Sequence, residues 1–137
     1  MAETHVKAAP AISPRPLSPH LSIFRWLITM VMSILHRLTG MALYFGMPLL
    51  AWWLIAAASG PDAFATADAF FGSWIGRLIL FGFTWALLHH MLGGLRHLVW
   101  DTGAGFSPPV ANRLAWATIV GSVALTLLVW FVGYAVR

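Results

Sequence analysis

The chain has 137 residues, of which 60% are hydrophobic and only 9% are charged, and its mean hydropathy is +0.81. Soluble domains carry about 25% charged residues, so this chain has too little polar surface to cover a soluble globule. Its lack of cysteine excludes disulfides, thiolate metal sites and a cysteine nucleophile. The net charge of +4 comes from too few residues for a nucleic-acid-binding surface. The composition predicts a small integral membrane protein.

The first 25 residues form a polar, proline-rich segment without the apolar core of a signal peptide. At its end, the sequence SPHLSIFR (residues 18–25) alternates apolar and polar side chains. This pattern predicts a short amphipathic turn along the membrane interface. Alternatively, these residues simply lead into the first helix.

Three long apolar stretches follow, at about residues 26–58, 74–100 and 113–136. In the first, residues 38–58 carry no charge, and about 20 such residues are enough to cross a bilayer. The connections between the stretches contain the Gly, Pro, Asp and Asn that are typical of turns. We therefore expect an all-α membrane protein whose single transmembrane domain, residues 26–137, has three helices.

The basic residues lie mainly before the first span and around the second connection: Lys7, Arg15, Arg25, Arg96 and Arg113. The first connection instead holds Asp62 and Asp68. Because basic residues favour the inner side of a membrane, the N-terminus is expected in the cytoplasm and the C-terminus in the periplasm of a bacterium. In a mitochondrion these sides would be the matrix and the intermembrane space.

A first polar cluster lies near the start of the first span, in the sequence SILHRLTG. Ser33 precedes His36 by three residues and Arg37 by four, so the serine is close to both on a helical face. An ionisable residue in a span is costly and is a functional hypothesis by default. This cluster suits a ligand with a carbonyl or carboxylate group. Alternatively, Arg37 extends to lipid head groups and His36 only caps the polar zone.

A second cluster lies in the sequence HHMLGGLRHLVWD, near the end of the second span. His90, Gly94, His97 and Asp101 are spaced by four, three and four residues and so form one helical stripe. Gly93 and Gly94 leave room beside His90 for a flat macrocycle bound through the imidazole nitrogen. The glycines could equally allow close approach of another helix, and a haem between helices needs both.

The two clusters converge in one leaflet, because the first span begins and the second span ends on the inner side. His90 lies 11 residues before the end of its stripe, or roughly 16 Å along a helix. A haem held at that depth by His90 could direct its propionates to Arg37 and His36. The chain offers one deep histidine in a suitable place, which indicates a second axial ligand from another subunit. His89 points about 100° away, and His97 lies nearer the interface.

The stretches RPLSPHLSIFR, SILHRLTG and HHMLGGLRHLVWD occur in this order in a chain with three spans. Together they resemble the cytochrome b subunits of succinate dehydrogenase, the larger membrane anchor of respiratory complex II, in the alphaproteobacterial and mitochondrial branch. The resemblance covers residues 15–101, and the third span matches in kind only. It implies a haem b shared with a second small anchor subunit, ubiquinone as the substrate, and assembly with an iron–sulfur subunit and a flavoprotein subunit.

The resemblance also implies functions for individual residues. His90 matches the axial ligand of haem b, and Gly94 and His97 belong to its pocket. Ser33 and Arg37 match the residues that line the ubiquinone pocket.

In the same way, His36 and Arg37 match residues near the haem propionates. Asp101 matches the family pattern without a specific function, and His89 receives none.

Three other functions remain open at the level of sequence. The chain could anchor a quinol:fumarate reductase, or it could be a haem-free structural anchor in which His90 is structural. A small transporter with a histidine proton relay is disfavoured, because no acidic residue lies in the middle of a span. The chain carries no flavin or iron–sulfur motif, so any turnover belongs to an assembly and not to this subunit alone.

Overall fold

The computed structural model describes residue 20 and residues 23–136. These residues form four helices: α1 (Ile28–Ser59), α2 (Pro61–Gly72), α3 (Trp74–Asp101) and α4 (Pro108–Ala135). Three of them, α1, α3 and α4, are long and apolar enough to cross a membrane. The predicted all-α architecture with three spans is therefore confirmed.

Most of the N-terminal segment predicted for residues 1–25 lies outside the described residues. In the part that is described, the amides of Ile23 and Phe24 both donate to the His20 carbonyl, at 3.0 and 2.9 Å. Helix α1 begins four residues after Phe24, at Ile28.

Helix α2 lies in the first connection, where the sequence predicts only a turn-rich link. Gly60 has a φ of 125°, a conformation that other residues rarely adopt, and it ends α1. Pro61 then starts α2, where its missing N–H costs nothing. The alanine-rich α2 packs against the end of α1, with Phe70 5.4 Å from Trp52 and Phe64 5.9 Å from Trp53 between ring centroids.

A sharp corner joins α2 to α3. The Ser73 hydroxyl accepts a hydrogen bond from the Gly76 amide at 3.1 Å and caps α3. A Cβ atom on Gly76 would collide with the backbone of Phe70, so a larger residue would open this corner. At the other end of α3, a short link leads to α4. Helix α4 starts at Pro108, five residues before the predicted position. The two prolines at its start fit the first turn of a helix, where a missing N–H costs nothing.

Consecutive spans run antiparallel, and α3 packs against both α1 and α4. His36 in α1 meets His90 in α3, and Ser122 in α4 meets His89 in α3. The buried face of α4 consists of small residues, as expected where membrane helices approach closely: Ala115, Thr118, Ser122 and Thr126. Most large apolar side chains point outward, toward lipid or toward other proteins.

Candidate functional site

The centre of the candidate site is a pair of stacked imidazoles between α1 and α3. The rings of His36 and His90 lie 3.9 Å apart between centroids, with only 6° between their planes. Each ring packs over a glycine of the opposite helix. A Cβ atom on Gly40 would lie 3.1 Å from the His90 ring, and one on Gly93 would lie 2.5 Å from Nδ1 of His36. The two glycines therefore allow α1 and α3 to enclose both imidazoles.

The hydrogen bonds of His90 determine which ring nitrogen is free. Its Nδ1 lies 3.1 Å from the backbone carbonyl oxygen of His36 and 3.3 Å from the Thr39 hydroxyl. A carbonyl oxygen can only accept, so Nδ1 carries the proton and the lone pair of neutral His90 is on Nε2. Nε2 has no hydrogen-bond partner within the described part of the chain. Histidines that bind metals commonly donate the other N–H to a carbonyl in this way.

The space next to His90 is open on the side of Gly94. A Cβ atom on Gly94 would meet no heavy atom within 4 Å. The sequence predicts the same function for Gly93 and Gly94, but their surroundings differ. Gly93 is buried beneath His36, whereas Gly94 faces a space that a flat ligand could enter.

His97 and Asp101 continue from His90 along the same helix, and both are exposed. The His97 ring lies 5.2 Å from His36 and 5.2 Å from Trp100 between centroids. His36 of the first predicted cluster thus contacts both His90 and His97 of the second.

Ser33 and Arg37 lie one turn apart on α1, and both side chains are exposed. Within the described residues, neither side chain makes a hydrogen bond or an ion pair. Their polar groups are therefore available to a ligand. Because they lie on the outside of the chain, another molecule must supply the opposite wall of any pocket that they line.

His89 lies on a different side of α3 from His90, as the helical geometry predicts. It is 1% exposed, and its Nδ1 lies 3.2 Å from the Ser122 hydroxyl of α4. The serine hydroxyl donates to the Ile119 carbonyl at 2.9 Å, so Nδ1 of His89 must donate to the serine oxygen. This hydrogen bond ties α3 to α4 and directs His89 away from the open side.

Two polar side chains of the site were not identified from the sequence. Thr39 is 3% exposed and is a hydrogen-bond neighbour of His90. Arg96 is 4% exposed, and its guanidinium carbon lies 5.0 Å from the centre of the Trp100 ring. In the sequence, Arg96 indicates only the topology. The four-residue spacing of Arg96 and Trp100 predicts this contact on one helical face. No sequence pattern distinguishes Thr39 from other threonines in the helices.

The charge around the site is positive. Arg37 and Arg96 lie near the imidazoles, and Asp101 is the one carboxylate that the described residues place at this end of the bundle. None of these three groups forms an ion pair with another described residue. A ligand with carboxylate groups would complement this charge.

The described residues contain no group of three or more histidine, cysteine or acidic side chains that could hold a metal ion by itself. A haem needs less from one chain, because the macrocycle supplies four ligands and one imidazole can supply an axial ligand. The unpartnered Nε2 of His90, the open space at Gly94 and the positive surroundings fit that requirement.

The chain is similar to known membrane proteins. The model of a family described as succinate dehydrogenase/fumarate reductase transmembrane subunit matches residues 11–129. The chain is 49% identical to the succinate dehydrogenase cytochrome b556 subunit of Paracoccus denitrificans, over 86% of this chain and 93% of the relative.

It is 41% identical to the cytochrome b556 subunit of Rickettsia felis, over 85% of this chain and 90% of the relative. It is also 34% identical to the mitochondrial cytochrome b560 subunit of Sus scrofa, over 85% of this chain and 72% of the relative. The chain therefore belongs to the family of succinate dehydrogenase/fumarate reductase transmembrane subunits and is a multi-pass membrane protein.

Proposed function

We propose that this chain is the haem b-binding membrane anchor of a succinate:ubiquinone oxidoreductase and forms part of its ubiquinone-reduction site. The family description covers both succinate dehydrogenases and fumarate reductases. The similar proteins are succinate dehydrogenase subunits, which favours electron flow from succinate to quinone.

The observation that carries the haem assignment is the hydrogen bond from Nδ1 of His90 to the His36 carbonyl, at 3.1 Å. It orients the imidazole and leaves Nε2 free, so that Nε2 would ligate the haem iron. His36, Arg37 and His97 would hold the propionates by charge-assisted hydrogen bonds, and Gly94 would leave space for the ring. When bound, haem b supplies a one-electron carrier next to the quinone site.

The chain supplies one well-placed imidazole, so the second axial ligand would come from a second small anchor subunit. The exposed apolar faces of the three spans would pack against that subunit and against lipid. An iron–sulfur subunit and a flavoprotein subunit would complete the assembly and deliver electrons from succinate. The distribution of basic residues supports a cytoplasmic N-terminus and a periplasmic C-terminus.

Ser33 and Arg37 would act on the quinone. The Ser33 hydroxyl would donate a hydrogen bond to a quinone carbonyl oxygen. The Arg37 guanidinium would stabilise the negative charge that develops on the quinone as electrons arrive. Both side chains are exposed and make no hydrogen bond within the described residues, so they can serve a ligand without breaking an internal contact.

A reduced-minus-oxidised optical spectrum of the purified assembly tests the haem assignment. We expect a b-type signal from the wild-type protein and from His89→Ala, and a shifted or missing signal from His90→Ala in an intact assembly. His89→Ala is a matched control, because it removes the neighbouring imidazole, which faces α4. An intact wild-type assembly without a haem signal would leave a haem-free anchor instead.

A further inference from the structure

A second site lies at the opposite end of the bundle from the histidines. A cavity of about 500 Å³ opens there between all four helices. Its lining includes Gly46 and Trp53 of α1, Asp68 of α2, Arg77 of α3, and Trp130 and Gly133 of α4. Gly46 is ten residues beyond His36, about 15 Å along α1. This cavity is therefore distinct from the proposed haem and quinone sites.

The inner part of the cavity is apolar. Its wall consists largely of aliphatic and aromatic side chains: Leu49, Leu50, Phe71, Ile79, Leu80, Phe83 and Val129. The Phe83 ring lies directly against Gly46, where a Cβ atom would collide with it, so α1 and α3 touch there. The volume lies within the range of about 300–1,000 Å³ that is usual for sites of small molecules.

Two opposite charges border the same cavity. Asp68 and Arg77 are both exposed, and neither forms an ion pair with the other or with any other described residue. Trp130 and Tyr134, which also border it, are residue types that are enriched where a membrane meets water. The Trp130 indole N–H donates to the Thr84 hydroxyl at 3.3 Å, which fixes this side of the wall.

We infer that this cavity binds a phosphatidylethanolamine molecule, with one acyl chain in the apolar part and the head group between Arg77 and Asp68. The phosphate suits the Arg77 guanidinium, which donates charge-assisted hydrogen bonds to phosphate oxygens. The primary ammonium carries three N–H donors for the Asp68 carboxylate. A phosphatidylcholine head group has no such donors, and an anionic lipid would meet the negative charge of Asp68. The site therefore selects a zwitterionic lipid with a primary amine.

Two variants test the two halves of this site. Gly133 lines the cavity, and a Cβ atom there would meet no heavy atom within 4 Å, so Gly133→Leu adds bulk at the cavity wall without a clash at its Cβ. Arg77→Gln removes the contact with the phosphate. The controls are Val132→Leu, at an exposed position of α4 beside Gly133 that does not line this cavity, and Arg113→Gln, at an exposed position near the start of α4.

Each protein is purified from its membrane in mild detergent with the subunits that remain bound, and its lipids are measured by native mass spectrometry. The proteins are then stripped of lipid and supplied with phosphatidylethanolamine or phosphatidylcholine. We expect wild type and both controls to retain phosphatidylethanolamine, and Arg77→Gln and Gly133→Leu to retain about tenfold less. Phosphatidylcholine should not replace it.

Three results would overturn the inference: unchanged lipid in both variants, equal rebinding of the two lipids by wild type, or loss of another subunit from Gly133→Leu. The last result would identify the cavity as a protein interface. The lipid measurement does not depend on haem or quinone binding, so this inference can fail while the proposed function stands.

Discussion

The imidazoles of His36 and His90 stack at 3.9 Å although they belong to different helices and are 54 residues apart. Their contact ties the polar cluster of α1 to the predicted haem ligand of α3. The hydrogen bond between Nδ1 of His90 and the His36 carbonyl strengthens the same link. The proposed quinone residues of α1 and the proposed haem ligand of α3 are therefore positioned by one shared contact.

Gly94→Leu should abolish haem binding without preventing folding. A Cβ atom on Gly94 meets no heavy atom within 4 Å, so a leucine there starts in open space and extends into the space proposed for the macrocycle. The readout is the haem-to-protein ratio of the purified assembly. Gly82→Leu, also at an open position on α3, should keep the wild-type ratio. A full haem content in Gly94→Leu would mean that the macrocycle does not occupy the space at Gly94.

Thr39→Val should raise the haem midpoint potential while leaving haem content near that of wild type. The hydroxyl lies 3.3 Å from Nδ1 of His90, and its loss makes the imidazole a weaker electron donor to iron. His90 keeps its hydrogen bond to the His36 carbonyl, so the variant removes only one hydrogen bond, worth about 1 kcal/mol. For a one-electron couple this energy corresponds to a rise in midpoint potential of about 40 mV.

A redox titration of the assembly measures this shift. Thr118→Val is the control, because the Thr118 hydroxyl bonds to the Leu114 carbonyl of its own helix. A lower potential, or loss of haem, would contradict the proposed orientation of His90.

Ser33→Ala and Arg37→Ala should slow quinone reduction by about tenfold to a hundredfold, because each removes a group that stabilises charge on the quinone. Succinate oxidation with an artificial electron acceptor should continue at the wild-type rate. The two assays are run on the same preparations, with Arg113→Ala as a control for the loss of a surface arginine. If both activities fall equally, the variants impair assembly and not the quinone site.

Ser122→Ala should lower the free energy of unfolding by about 1 kcal/mol without changing the haem spectrum. The variant leaves Nδ1 of His89 without an acceptor, and its Nε2 already lacks a partner within the described residues. Unfolding is followed in increasing concentrations of a denaturing detergent.

The double variant His89→Leu with Ser122→Ala should recover part of that loss, because neither position then buries an unpaired polar side-chain atom. Ser59→Ala is the control, since Ser59 is exposed and bonds only to the Ile55 carbonyl. Equal stability of wild type and Ser122→Ala would mean that the contact contributes nothing.

Much of the molecule follows from local patterns in the sequence. Uncharged runs of about 20 residues predict the spans, because no other segment can cross a bilayer alone. The four- and three-residue spacings from His90 to Asp101 place these residues on one face of α3, and His89 on another. Helix α2 in the first connection does not follow from such patterns. Gly60, Pro61 and Gly72 are residue types typical of loops, but here they mark the two ends of α2.

Local spacing does not predict the contacts between helices, because these depend on how α1, α3 and α4 pack against one another. The sequence marks His36 and His90 as polar residues in apolar surroundings, and Arg96 only as one of the basic residues that indicate the topology. Only the packed bundle stacks the first two, supplies the His36 carbonyl that orients His90, and buries Arg96 against Trp100. Burial, hydrogen-bond partners and open space arise between helices, so the ligand-binding properties of these residues depend on their neighbours in three dimensions.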